Sequence, residues 1–182
     1  HMLDLAVLGL LRAGPRHGYD LKGHLSELGF RRISFGSLYP ALRRLEKRGL
    51  IIALRTNGRR KAYRLSEEGS AELSRLLRDE SHPNEEDRRF NIRLAFFRYL
   101  EPALRVRSLE RRRRDLIDRL GSTQRSLQRA SGGTVDRYTL ALMRHRVISI
   151  QADIEWLDEL IAAERGNVQI YANTSSLMRG TE

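Results

Sequence analysis

No cysteine occurs in the chain, which excludes a disulfide scaffold, a cysteine-ligated zinc or iron–sulfur site and a thiol nucleophile. Long apolar runs are missing too. The longest, Leu5 to Leu11 (LAVLGLL), falls far short of the ~18 residues needed to span a bilayer. It follows Asp4 instead of a basic stretch and lacks a small-residue cleavage site, so it is not expected to be a signal peptide. His1 ahead of Met2 is expected to be a cloning remnant and is given no role. His17, His24, His82 and His145 lack metal-ligand spacing, and no glycine-rich phosphate loop, nucleophile elbow or carboxylate dyad is present. Neither enzyme activity nor a cofactor or metal is therefore expected. Lysine is scarce as well: three lysines stand against 31 arginines, so part of the positive charge reflects arginine usage throughout.

What remains is a chain of 182 residues with a formal charge of +11 and 40% apolar residues, too patterned to be disordered. It is expected to be cytoplasmic, without a membrane segment, and to meet a polyanion. Location sharpens that expectation. Residues 1–80 carry +7 and residues 81–182 carry +4, whereas 43–64 alone hold nine basic side chains against Glu46. A solvated face is the plain alternative for such a run, and the structural setting has to decide.

Leu3, Ala6, Val7, Leu10 and Leu11 follow helical spacing and predict a helix to Arg12, ended by Gly14-Pro15. A second short helix is predicted over Gly18 to Leu28 and a third from Ser34-Phe35-Gly36 to Arg48, with Gly49 as its C′ residue. The period then changes. Leu50 to Leu54 and Lys61 to Leu65 are β-type runs around Asn57-Gly58, a strong hairpin signal. Ser66 caps a further helix reaching about Glu80, with Glu67 and Glu68 in its first turn. Three helices followed by a hairpin make a winged helix-turn-helix.

On the third helix Leu38, Ala41, Leu42 and Leu45 fall in one apolar arc. Opposite stand Gly36, Pro40, Arg43 and Lys47, flanked by Ser37, Arg44 and Tyr39. Pro40 is placed in the first turn, where a missing N–H is harmless. A helix seated in the major groove needs such an outer face. Arg43 or Arg44 can donate a bidentate pair to guanine or clamp a phosphate; Ser37 and Tyr39 can donate to phosphate oxygens. Tyr39 has partial burial as its alternative, and Lys47 and Arg48 have complementation of the helix C-terminus. Arg59, Arg60 and Lys61 sit at the hairpin tip, where a wing meets backbone or minor groove, with edge protection as the alternative.

LAVLGLL, HGYDLKGHL, SFGSLYPALRRLEKRGLI and GRRKAYRLSEEG resemble the PadR-like transcriptional regulators over the first 80 residues. The resemblance implies a dimeric winged-helix repressor on a palindromic operator, read by the third helix with the hairpin as wing. It places Ser37, Tyr39, Pro40, Arg43 and Arg44 on the DNA-facing motif and Arg60, Lys61 and Tyr63 on the wing. FNIRLAFFRYL and the helices after it resemble the family's longer subgroup, which has a helical C-terminal region. Some members respond to small molecules, so an effector is an open possibility; Phe96, Phe97, Tyr99 and Trp156 are candidates for lining its site, against core or dimer interface.

The break at Ser81 to Asp87 divides a DNA-binding domain, 1–80, from a helical dimerisation domain, 81–166, and the aperiodic stretch 167–182 reads as a mobile tail. Phe90, Ile92, Leu94, Phe96, Phe97 and Tyr99 make one helix apolar on several faces, a connector buried on two sides. A helix from Pro102 carries a seam of Val106, Leu109, Leu116, Leu120 and Leu127, with Arg113 as the exception. After Ser131-Gly132-Gly133 the last helix repeats Leu140, Met143, Val147, Ile150, Ile154, Leu157 and Ile161 at coiled-coil spacing, so the two pack antiparallel. Ile117, Leu142, Ile148, Trp156 and Leu160 leave a second face, which a second copy is expected to cover. Phe97, Leu140, Met143, Val147, Ile150, Ile154, Trp156 and Leu157 are the dimerisation candidates. The predicted fold is mainly α with a small β-hairpin: a winged helix-turn-helix plus an antiparallel helical dimerisation domain. The rival to an operator-specific regulator is a non-specific architectural DNA binder.

Overall fold

A computed structural model describes residues 2–55, 61–79, 81–82 and 85–178, with side chains to residue 166. Packing divides the chain into two units, His1–Leu100 and Glu101–Glu182. The first contains α1 (Met2–Arg12), β1 (Arg16–His17), α2 (Gly18–Glu27), α3 (Phe35–Lys47), β2 (Ile51–Leu54), β3 (Ala62–Leu65), α4 (Glu67–Arg78), α5 (Asp87–Ala95) and a 3-10 turn (Phe97–Tyr99). The second contains α6 (Pro102–Ser131) and α7 (Arg137–Met178).

The apolar run LAVLGLL becomes the axis of the first unit. α1 packs on α2, α3, α4, α5 and β3, which is why Leu5, Ala6, Val7, Leu8 and Leu11 are all buried around its circumference. Gly9 is required there, since a Cβ would lie 2.6 Å from the Phe96 ring. Both serine caps form. Ser34 Oγ accepts from Ser37 N at 3.2 Å, and Ser66 Oγ accepts from Gly69 N at 3.0 Å. The Ser66 hydroxyl also donates to Gly49 O at 2.6 Å, tying α4 to the end of α3, where Gly49 turns with φ +74°.

The wing is larger than the hairpin read from the sequence. β1 adds to β3, so the antiparallel sheet runs β1-β3-β2, with Arg16 opposite Tyr63 and Ala53 opposite Tyr63 on the other side. Two residues after a Gly-Pro turn carry no alternation, so β1 left no pattern to find. The Asn57-Gly58 turn, Arg59 and Arg60 lie outside the described residues.

The single helix expected around Phe90 to Tyr99 is broken. α5 ends at Ala95, Phe96 leaves helical geometry, and the 3-10 turn follows. Phe90, Ile92, Phe96, Phe97 and Leu100 are buried in the first unit, so residues after 81 contribute to its core. In the second unit α6 and α7 pack antiparallel: Arg105 pairs with Glu164 at 3.7 Å, and Arg113 with Asp158. That pairing accounts for Arg113 in an otherwise apolar seam. α7 is helical through Met178, so residues 167–178 continue the helix where an open tail was expected.

Candidate nucleic-acid interface

α3 divides as its periodicity requires. Leu38, Ala41, Leu42 and Leu45 are buried, while Ser37, Tyr39, Pro40, Arg43, Arg44 and Lys47 are exposed. Pro40, however, is the sixth helical residue rather than a first-turn one, so its missing N–H leaves the Gly36 carbonyl without its usual donor four residues on. The proline is tolerated on the solvent face, where water can meet that carbonyl.

The arginines at the end of α3 have different duties. Arg44 Nη2 donates to Asp4 Oδ1 at 2.6 Å, and Asp4 is buried. Arg48 lies 3.9 Å from Asp4 and 3.7 Å from Glu72. Arg44, expected on DNA, is thus held by a buried carboxylate on α1 whose second basic neighbour, Arg48, stands farther off. Among the described residues Arg43 is in no ion pair. Arg43 and Lys47 are the cations of this face with no such commitment.

Tyr63 is a second correction. Expected among the wing's DNA contacts, it is 4% exposed, on the covered face of β3, whereas the next residue, Arg64, faces solvent. Burial first, then the nearby Glu46 carboxylate, pushes its hydroxyl above the ordinary tyrosine range, while Arg43 opposes the shift. Lys61, just before β3, is exposed.

The structure adds residues that sequence reading passed over. Arg31 and Arg32, exposed in the α2–α3 turn, line a cleft of about 470 Å³ with Ser37 near the start of α3. A basic pair immediately before the Ser34 cap was the available signal. Tyr19 stacks on Phe35 at 6.3 Å and Phe35 on Tyr39 at 5.5 Å, with Lys22 Nζ 4.9 Å from the Phe35 centroid. One surface therefore combines an exposed helix face, a column of rings and a set of cations, the requirements of a duplex-reading element. Among the described residues no cluster of His, Asp or Glu is placed to hold a metal ion, and no helix is long and apolar enough to cross a membrane.

Residues 7–75 match the transcriptional regulator PadR-like family. Residues 7–75 thus form a PadR-like domain within the chain. The fold of the first unit around it, helices with a small antiparallel sheet, is winged-helix, and the matching family is one of transcriptional regulators, not of enzymes. Residues 88–164 match the virulence activator alpha C-term family, which fits the longer PadR-like subgroup. The chain is similar to an uncharacterized 37.1 kDa protein in transposon TN4556 of Streptomyces fradiae, 37% identical over 72 residues, or 40% of this chain. It spans about a fifth (21%) of that relative's length. It is also similar to Bacillus subtilis PadR in complex with operator DNA, at 23% identity and a TM-score of 0.41 over 88% of this chain and 97% of that one. The complex of the same protein with p-coumaric acid gives 24% identity and a TM-score of 0.41, over 91% and 99%.

In this PadR-like chain the dimerisation candidates separate into two groups. Phe97 is buried in the first unit, edge-on to Phe90 at 6.2 Å. Ile150 and Leu157 are buried, and Leu140, Met143, Val147 and Ile154 half-buried, in the second unit, where α6 lies along α7. The coiled-coil-like seam is thus used within the chain. Trp156 is different: it is exposed, as are Tyr138, Leu142 and Ile148, and these four lie on the side of α7 roughly opposite the seam. Phe96, a candidate with Phe97 for lining an effector site, is packed over Gly9 and belongs to the core.

Proposed function

We propose that this chain is a homodimeric repressor that binds a palindromic operator, with α3 in the major groove and the hairpin on the adjacent backbone or minor groove. The reading places it in the cytoplasm. The carrying observation is the division of α3 into a buried apolar stripe and an exposed face of Ser37, Tyr39, Pro40, Arg43 and Lys47. Lys61, with Arg64 on β3, supplies described cations of the wing; Arg59 and Arg60 join them by sequence alone. Dimerisation is assigned to the helical region after residue 80. Its contact is the outer face of α7, carrying Tyr138, Leu142, Ile148 and Trp156, with Ile117 on α6. One recognition helix reads few base pairs, and a two-fold pair doubles the site. An effector is part of this reading, acting by favouring a state whose helices miss the operator.

Selection of bound sequences from a random duplex pool tests it. A two-fold symmetric site bound ~10³-fold or more over random DNA at equal salt is expected. Uniform binding to all sequences would instead identify an architectural protein. Transcription from a template carrying the selected site should fall on adding the protein. Light scattering should give about twice the chain mass of 21.1 kDa; a mass equal to it removes the dimer.

A further inference from the structure

Between the wing and the start of the recognition helix lies a concavity of about 400 Å³ that duplex binding by itself does not require. Its volume is that of a small-ligand pocket. Its walls are aromatic: Tyr19, Phe35 and Tyr39 in the ring column on one side, and the buried Tyr63 from β3. Arg43 and Lys61 line it as cations and Glu46 as the single carboxylate, and among the described residues none of the three is in an ion pair.

We propose that this cleft binds a flat heteroaromatic ring carrying one phosphate and an N–H donor, the chemistry of a purine nucleoside monophosphate, and that its occupant competes with DNA. Two cations against one carboxylate select an anion, and the rings offer the contact surface that bases use on aromatic side chains. Glu46 accepts from an exocyclic amine or ring N–H and repels a second anionic group placed beside it. Competition follows from sharing: Arg43 and Lys61 are also contacts of the proposed operator interface, and a ligand holding both removes them from the duplex. The inference therefore rests on the DNA-facing assignment for its regulatory half alone; the site stands on the cleft.

The test titrates the full chain, without DNA, with adenosine monophosphate, adenosine and inorganic phosphate by calorimetry. The expected result is saturable one-site binding of the nucleotide, tighter than either fragment. Tyr19→Ala and Lys61→Ala, both at exposed positions that leave the fold intact, should each weaken it by about tenfold. The nucleotide should then raise the apparent dissociation constant of a bound duplex in proportion to its occupancy. Nucleotide binding no tighter than phosphate alone, or unchanged in both variants, overturns the site. Variant-sensitive binding that leaves duplex affinity unchanged overturns the competition. If the chain selects no DNA sequence yet binds the nucleotide as described, the operator reading fails and the cleft assignment survives.

Discussion

Arg43 and Arg44 are chemically identical neighbours on α3, and the structure gives them opposite expectations. Arg43→Ala should cost ~1–3 kcal/mol of binding at the selected site if it reads a base, with an unchanged melting temperature. Arg44→Ala removes the partner of buried Asp4, and should lower stability by about 1–2 kcal/mol, less than for a fully buried pair because its guanidinium is half exposed. Thermal melts and competition binding on the two variants separate the cases, and equal melting temperatures would dissolve the distinction. No pattern in the sequence distinguishes them, because Asp4 lies 40 residues away in the chain. Gly9 is a second residue whose constraint comes from a distant neighbour. Gly9→Ala forces Phe96 out of its place over α1 and should cost ~1–3 kcal/mol by overpacking, read as a lower denaturant midpoint. A variant as stable as the parent would mean that Phe96 relocates freely.

Among the elements, the wing divides its residues by face: Ile51, Ala62 and Tyr63 are buried while Lys61 and Arg64 are exposed. Arg60→Ala with Lys61→Ala should weaken binding to all duplexes alike and reduce the salt slope by ~0.9 for each phosphate that the variant leaves unneutralised. An unaltered slope would remove the wing from the backbone interface. The start of α7 illustrates a titratable cap. The Thr139 hydroxyl donates to Asp136 at 2.7 Å, and the backbone N–H groups of Tyr138 and Thr139 donate to it at 2.9 and 3.1 Å. These bonds, the Thr139 side chain first, hold the carboxyl below its ordinary range. Its contribution is therefore present above the unfolded value near 3.8 and lost as pH falls through the lower folded one. The protection of amides in the first turn of α7, taken relative to intrinsic exchange at the same pH, should fall at acid pH, and Asp136→Ala should show that lower protection already at neutral pH. Exchange that stays equally slow in both proteins would mean the cap contributes nothing. The extents of α1 to α4 and the Ser66 cap were legible because their causes are local. β1 and the break after Ala95 were not, because each depends on the neighbours available to pair or pack with it.

For the whole molecule, the proposed dimer needs an apolar surface that joins two copies. Leu142→Glu with Ile148→Glu should convert a dimer into a monomer by light scattering while leaving the helix content unchanged, since both side chains are exposed in the single chain. The same change at Ile150 and Leu157 should instead unfold the second unit, whose core they form. A dimer that survives the first pair of substitutions would place the interface elsewhere. By itself the sequence determined the order of the first four helices and the hairpin between the last two of them, the apolar stripe of α3, the concentration of charge over residues 43–64 and the antiparallel partnership of the last two helices. Each follows from periodicity, capping or composition acting within a few residues. Only the tertiary structure decided which charges are free and which apolar stripe is already used: Arg44 on Asp4, Arg113 on Asp158, Tyr63 inside the sheet and the α7 seam against α6. Those outcomes depend on partners some 45 residues apart in the chain, as Arg113 and Asp158 are, and pairings at that range leave no trace in a local pattern.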